Sequence, residues 1–199
     1  MWFSWYINIM NNESFQVEIL KHPTDEDWMI CKKCTLITIG KDAKQPPTPE
    51  WKHKILASEH SPIRTLQFVF EIVNIPYYCA MHLVRHHVGV TPFVKTQRND
   101  RQSQYDRGKA PQDAPVDMCW CVNAQALMDI AHKRLCTQAS PETRAVVAEI
   151  CRQVEEVNPE FKGLLVPNCV YRGGKRTEFY PCGAAEAMMR KYLEEKVSQ

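Results

Sequence analysis

Hydrophobic and polar positions alternate with two periods along the chain, and the changes between them predict its elements. Phe15, Val17 and Ile19 alternate with Gln16 and Glu18, the two-residue period of a half-buried strand. After Pro23, the acids of the TDED run suit an N-cap and first turn, predicting a helix from about Thr24 to the Leu36 region. The stretch GKDAKQPPTPE reads as a loop, and Thr48 followed by Pro49 opens a second helix through Trp51, Ile55 and Leu56. Between Thr65 and Ile75 the residues are mostly β-branched and aromatic, a buried strand. Pro76 starts a third helix, apolar at Tyr78, Met81 and Val84, which stops near Gly89 and Pro92. Residues 102–117 are polar with two prolines and read as a mobile loop. Ala124, Leu127, Met128 and Ala131 form a helical stripe between Asn123 and Arg134. Ser140 and Pro141 cap a helix through Ala145, Val146, Ile150 and Val154, and a turn-rich RGGK precedes a last helix from about Ala184. With no internal repeat or low-complexity segment, residues 1–199 read as one domain.

Composition narrows the class. At 44% hydrophobic and 24% charged residues the chain is an ordinary soluble type. A net charge of +2 falls short of the basic excess usual in duplex-DNA binders, so nucleic acid is not the expected partner. No run is apolar enough to span a membrane, and the aromatic-rich MWFSWYINIMNNES lacks the basic start and cleavage site of a signal peptide. Nine cysteines, an odd number scattered through predicted helices, suit a reducing compartment. Cys31 and Cys34 form a Cys-x-x-Cys, and Cys119 and Cys121 lie two apart. The second pair is too tight for usual zinc spacing, so all four read as small buried hydrophobes and no metal is expected.

Candidate chemistry concentrates at residues 85–101, RHHVGVTPFVKTQRNDR. These seventeen residues hold Arg85, His86, His87, Lys95, Arg98 and Arg101 but one acid, Asp100. Arginine offers a planar donor fork, lysine a point charge and histidine a proton near neutral pH, together suiting a phosphate-bearing ligand. Helical spacing sets His82 with Arg85 and His86 on one face, at the tip of an otherwise apolar helix. Compensation of the helix dipole needs fewer than three consecutive basic groups.

Two blocks in order resemble the flavin-dependent thymidylate synthase family. That family's first block is a turn, a strand–helix passage, an RHR triplet and a closing Ser-x-Arg. Here EHSPIR precedes TLQFVFEIVNIP, then CAMHLVRHH, then TQR. The second block follows an Asn-Ala-Arg–Leu-Met-Asn pattern with a later Arg and Ala-Gln-x-Glu. Asn123, Ala124, Leu127, Met128, Arg134, Ala139 and Glu142 stand at its spacing. The resemblance spans about residues 55–145. It implies an α/β (α+β) fold with a central mixed or antiparallel sheet, and a cytoplasmic homotetramer with sites at subunit interfaces. It also implies FAD as cofactor, with NADPH and methylenetetrahydrofolate as co-substrates. The reaction implied is C5 methylation of a pyrimidine deoxynucleoside monophosphate, dUMP to dTMP, in which flavin rather than cysteine performs the difficult step.

Carried over residue by residue, the resemblance places Arg85, His86 and His87 against flavin and nucleotide. Arg98, with one residue inserted before it, would bind the nucleotide phosphate beside Lys95, Thr96 and Gln97, and Arg107 would be a further substrate-binding arginine. Asn123, Gln125 and Asp129 fall where the family contacts flavin, as do Ser61 and Arg64 in the preceding turn. Arg134 would bind the pyrimidine edge and stabilise negative charge on the ring, which makes it the catalytic candidate.

Departures from the family pattern are several. His87 stands for Arg, Val90 for Ser, and Phe93 near an expected Glu. His82 replaces a base-reading Gln, Arg64 a Glu, Glu59 a His and Gln125 an Arg. The segment between Arg98 and Arg107 is short, as in a compact member of the kind found in virus genomes, whose site of action would be the host cytoplasm. A changed amide pattern at the base edge leaves dCMP open as the substrate, with a methylated or hydroxymethylated product. A nucleotide- or nucleic-acid-binding module that has lost the chemistry is the third reading.

Overall fold

The computed structural model describes residues 15–98, 100–101, 106–175 and 178–197. The N-terminal stretch read for a signal peptide, and residues 102–105 of the expected loop, lie outside them.

Four antiparallel strands form one sheet in the order β1-β2-β4-β3. These are β1 (Gln16–Lys21), β2 (Gln67–Pro76), β3 (Val90–Val94) and β4 (Pro115–Asn123). The pairings Gln67↔Asn123 and Val90↔Val122 bring the start of β2, the end of β4 and the start of β3 to one edge of the sheet. Strand alternation sends Phe68, Phe70, Ile72, Met118, Trp120 and Val122 to one face, where all are buried. Helices α4 (Ala124–Arg134) and α5 (Pro141–Val157) supply Leu127, Met128, Val146, Ile150 and Val154 to the same core. At about 25 cal/mol per Å2 of apolar surface, this shared core is the main source of stability. Gln67, Glu71 and Phe93 are exposed on the opposite face.

The other helices are α1 (Asp25–Ile37), α2 (Pro49–Ala57), α3 (Tyr77–Val84), α6 (Asn168–Tyr171) and α7 (Ala185–Val197), with short 3-10 turns at Ser61–Thr65 and Pro159–Phe161. The predicted caps form: Thr24 makes a capping box with Asp27, Thr48 accepts from the Trp51 amide, and Ser140 from the Thr143 amide.

Three expectations are corrected. The loop over 102–117 ends at Ala114, because Pro115–Asp117 belong to β4. In β4, Val116, Met118, Trp120 and Val122 alternate inward with Asp117, Cys119 and Cys121. Strand β3 was unpredicted; it carries Pro92, which an edge strand tolerates because its missing N–H need not join the ladder. The third helix ends at Val84, and Arg85 is its C-cap. His86 and His87 therefore lie in the turn beyond it, which passes through Gly89 at φ +72°.

No helix among the described residues is long and apolar enough to cross a membrane. All nine cysteines are unpaired, and no group of three or more His, Cys, Asp or Glu among the described residues is arranged to hold a metal.

Candidate functional site

Helix α4 is positioned at both ends. Asn123 caps its start, its Oδ1 accepting from the Ala126 amide at 2.9 Å, and the apolar stripe buries its middle. Arg134 is its last residue and half-buried. The Nε–H donates to His86 Nε2 at 2.9 Å, and Nη2 donates to the His82 carbonyl oxygen at 2.9 Å. Arg134 has no carboxylate within ion-pair distance among the described residues. Burial, then the nearby Arg85 charge, draws its guanidinium below the usual arginine range. A half-buried cation held by neutral acceptors, with a second cation beside it, is a charge arrangement that an anion would complete.

The two imidazoles complete this corner. Burial, then the charges of Arg134 and Lys133, pushes His86 down to about 4, so near neutrality its Nε2 is free to accept from Arg134. His82 is lowered by burial, then by Arg134 and Arg85. Its Nδ1 lies 2.9 Å from the Thr143 hydroxyl, which also receives the Ser140 hydroxyl at 2.8 Å. Beside Arg134 lies a cleft of about 300 Å3 lined by His132, Lys133, Gln138, Asn168 and Glu178.

Around α4 the remaining donors sort into engaged and open. Gln125 donates from Nε2 to Glu59 Oε2 at 3.0 Å, and the Asn123 Oδ1 is committed to its cap. Arg64 and Arg85 are exposed with no carboxylate partner among the described residues. His87 is exposed, its Nδ1 3.1 Å from the Arg85 carbonyl oxygen, which leaves its Nε2 outward. Ser61 and Asp129 are also exposed.

The other expected residues lie elsewhere. Lys95 to Arg98 follow the far end of β3. Val90 and Val94 alone are about 13 Å apart, at about 3.3 Å per residue. Lys95 is paired with Asp117 at 3.0 Å, and that carboxylate also accepts the Asn74 amide at 3.0 Å. Those two bonds, the Asn74 amide first, hold Asp117 below the usual carboxylate range. Arg98 makes a two-pronged contact with Asp100, at 2.9 and 2.7 Å. Arg98 and Arg107 line an open cleft of about 530 Å3 with Asp100 and Asp106, and Thr96 accepts from the Arg98 amide. The chain thus holds two donor groups at opposite ends of β3, and one protomer does not bring Arg98 and Arg107 to Arg134.

The chain is similar to known proteins over part of its sequence and in its fold. Residues 100–160 match the family of the thymidylate synthase complementing protein. The fold matches the crystal structure of a UMP/dUMP methylase, PolB, from Streptomyces cacaoi bound with 5-Br dUMP. The TM-score is 0.56 at 15% identity, over 73% of this chain and 92% of that one. No curated protein matches its sequence. The family match contains Arg107, Asn123, Gln125, Asp129 and Arg134, whereas the 85–98 block lies before it.

Sequence reading missed several residues that shape this corner of the fold. Ser140 appeared only as a helix cap, and Lys133 not at all. Glu59 and Gln125 were noted as separate departures, but they are bonded to each other. Tyr171 donates to the second Glu59 oxygen at 2.7 Å and stacks on His132 at 4.2 Å. Two departures meeting at one spot were the available signal. For a flavin dinucleotide, the open guanidinium groups of Arg64 and Arg85 are donors of the kind a diphosphate needs. The flavin expected to contact Asn123 and Gln125 would meet side chains already engaged by the protein.

Proposed function

We propose that this protein methylates C5 of a pyrimidine deoxynucleoside monophosphate, with dUMP to dTMP the leading reaction. The observation that carries the reading is Arg134, a half-buried guanidinium anchored through Nε and Nη2 with no carboxylate at ion-pair distance among the described residues. Its Nη1 is left to meet a pyrimidine carbonyl edge. A fixed cation aimed at charge developing on the ring lowers the barrier without reorganisation during the reaction. Neutral His86 and the His82 carbonyl hold the fork in place, and Arg85 adds a second positive charge nearby.

Arg64, Arg85 and His87 would hold the FAD diphosphate, and bound flavin would supply the redox chemistry, with methylenetetrahydrofolate as carbon source and NADPH as reductant. The separation of Arg98 and Arg107 from Arg134 supports a site completed by a second protomer, within a homotetramer, with those arginines taking the nucleotide phosphate. Unpaired cysteines throughout the chain suit a cytoplasmic setting.

Release of tritium from C5-labelled dUMP, with FAD, NADPH and methylenetetrahydrofolate present, tests this directly. Release from labelled dCMP instead would assign the cytosine nucleotide. Release from neither, by a protein that stays colourless after FAD is added, would leave only a binding module.

A further inference from the structure

Glu59 and Gln125 meet in a contact that fixes which way an amide points. Helix α2 closes in a Schellman turn, the Glu59 amide donating to the Leu56 carbonyl oxygen at 2.9 Å and the His60 amide to that of Ile55 at 3.3 Å. The turn needs a left-handed residue, and Glu59 supplies it at φ +49°, where glycine is usual. Backbone geometry therefore aims the Glu59 side chain. Both of its oxygens are taken: Oε1 accepts the Tyr171 hydroxyl at 2.7 Å, and Oε2 accepts Gln125 Nε2 at 3.0 Å. Tyr171 is stacked on buried His132, whose Nε2 lies 3.1 Å from the Leu164 carbonyl oxygen. The relay thus runs from the core outward through His132, Tyr171, Glu59 and Gln125.

The Tyr171 bond, first, holds Glu59 below the usual carboxylate range, so the carboxylate accepts and does not donate. Such a partner admits one orientation of the Gln125 amide, with its NH2 towards Glu59 and its Oε1 turned away. Gln125 is half-buried, and that oxygen has no hydrogen-bond partner among the described residues. Distance and charge limit what it can accept. Gln125 stands nine residues before Arg134, about 14 Å along α4 at 1.5 Å per residue, beyond the span of one pyrimidine ring held at Arg134. The Glu59 charge behind the amide repels phosphate, which is left to Arg64 and Arg85. A neutral donor remains.

We infer that Glu59 is a positioning residue, which turns the Gln125 amide oxygen to accept an N–H from a planar ring of the flavin dinucleotide. The role rests on the proposed flavin site. The N–H belongs either to the flavin imide or to the adenine amino group, and ligand analogues separate the two.

Full-length protein freed of flavin is titrated, with flavin fluorescence as the readout, against three ligands. These are FAD, 3-methyl-FAD, which lacks the imide N–H, and the dinucleotide with hypoxanthine for adenine, which lacks the amino group. One analogue should bind the parent about tenfold more weakly than FAD, as for one lost hydrogen bond, and that analogue names the ring. Glu59→Gly suits the left-handed turn, so the fold should persist while the gap between FAD and that analogue closes. Gln125→Ala should close it as well. Equal binding of all three ligands by the parent would overturn the acceptor role alone, as would a gap that survives Glu59→Gly or Gln125→Ala. A parent that binds none of the three would overturn the flavin reading, and the acceptor role with it.

Discussion

Replacing His86 with glutamine isolates the electrostatics of the Arg134 corner. Glutamine can still accept from Arg134 through its amide oxygen, but it does not titrate. His86 is held near about 4 against an ordinary 6.5, by burial first and then by Arg134 and Lys133. In this window the unfolded chain binds a proton that the folded chain refuses. Its contribution to stability is therefore complete above about pH 6.5 and is lost as pH falls towards about 4. At 1.36 kcal/mol per pH unit the full gap would be about 3.4 kcal/mol. Halved for partial solvent exposure and taken only between pH 7 and 4.5, it leaves about 1 kcal/mol. Urea unfolding of parent and His86→Gln at the two pH values measures this. The variant should lose about 1 kcal/mol less than the parent on acidification. Equal losses would refute both the depressed imidazole and the neutral acceptor assigned to Arg134.

Arg134→Ala should lower turnover by about 100-fold or more, as for loss of a charge-stabilising donor, while flavin absorbance is retained; normal turnover would remove Arg134 from the reaction. Arg98→Ala should weaken nucleotide binding by about 1.5–3 kcal/mol in calorimetry, and Asp100→Ala, which frees that fork, should strengthen it. Unchanged affinity in both would place the phosphate elsewhere. Gly89→Ala should destabilise the fold by about 2–3 kcal/mol in urea, because φ there is left-handed and the new Cβ would sit 2.4 Å from the Asn123 amide nitrogen that belongs to the α4 cap.

Much of the framework was legible in the sequence because caps and apolar periods are local signals. Thr24, Thr48, Asn123 and Ser140 cap helices where a short polar residue precedes an apolar stripe. The two missed strands had weaker local signals. Pro92 speaks against a strand until β3 is known to be an edge, and Cys119 and Cys121 drew attention to metal spacing and away from the alternation they belong to. Pairing order is less accessible still, since β2 neighbours β4 across 38 intervening residues, from Tyr77 to Ala114.

The basic run illustrates what sequence cannot sort. Read along the chain, residues 85–101 form one electropositive segment, yet the fold divides it by the length of β3 and gives its halves opposite charge balance. Lys95 and Arg98 are exposed and each already holds a carboxylate. Arg85 and Arg134 hold none among the described residues, and Arg134 is half-buried. An exposed, paired cation contributes little to stability and exchanges its partner at small cost, so Asp100 can yield Arg98 to a phosphate. A shielded, unpaired cation is costly in the empty site, and that cost is relieved when an anion or a developing negative charge arrives. On the proposed function, the division between binding and chemistry would fall inside the segment, with phosphate recognised at its Arg98 end and ring charge stabilised at its Arg85 end, beside Arg134.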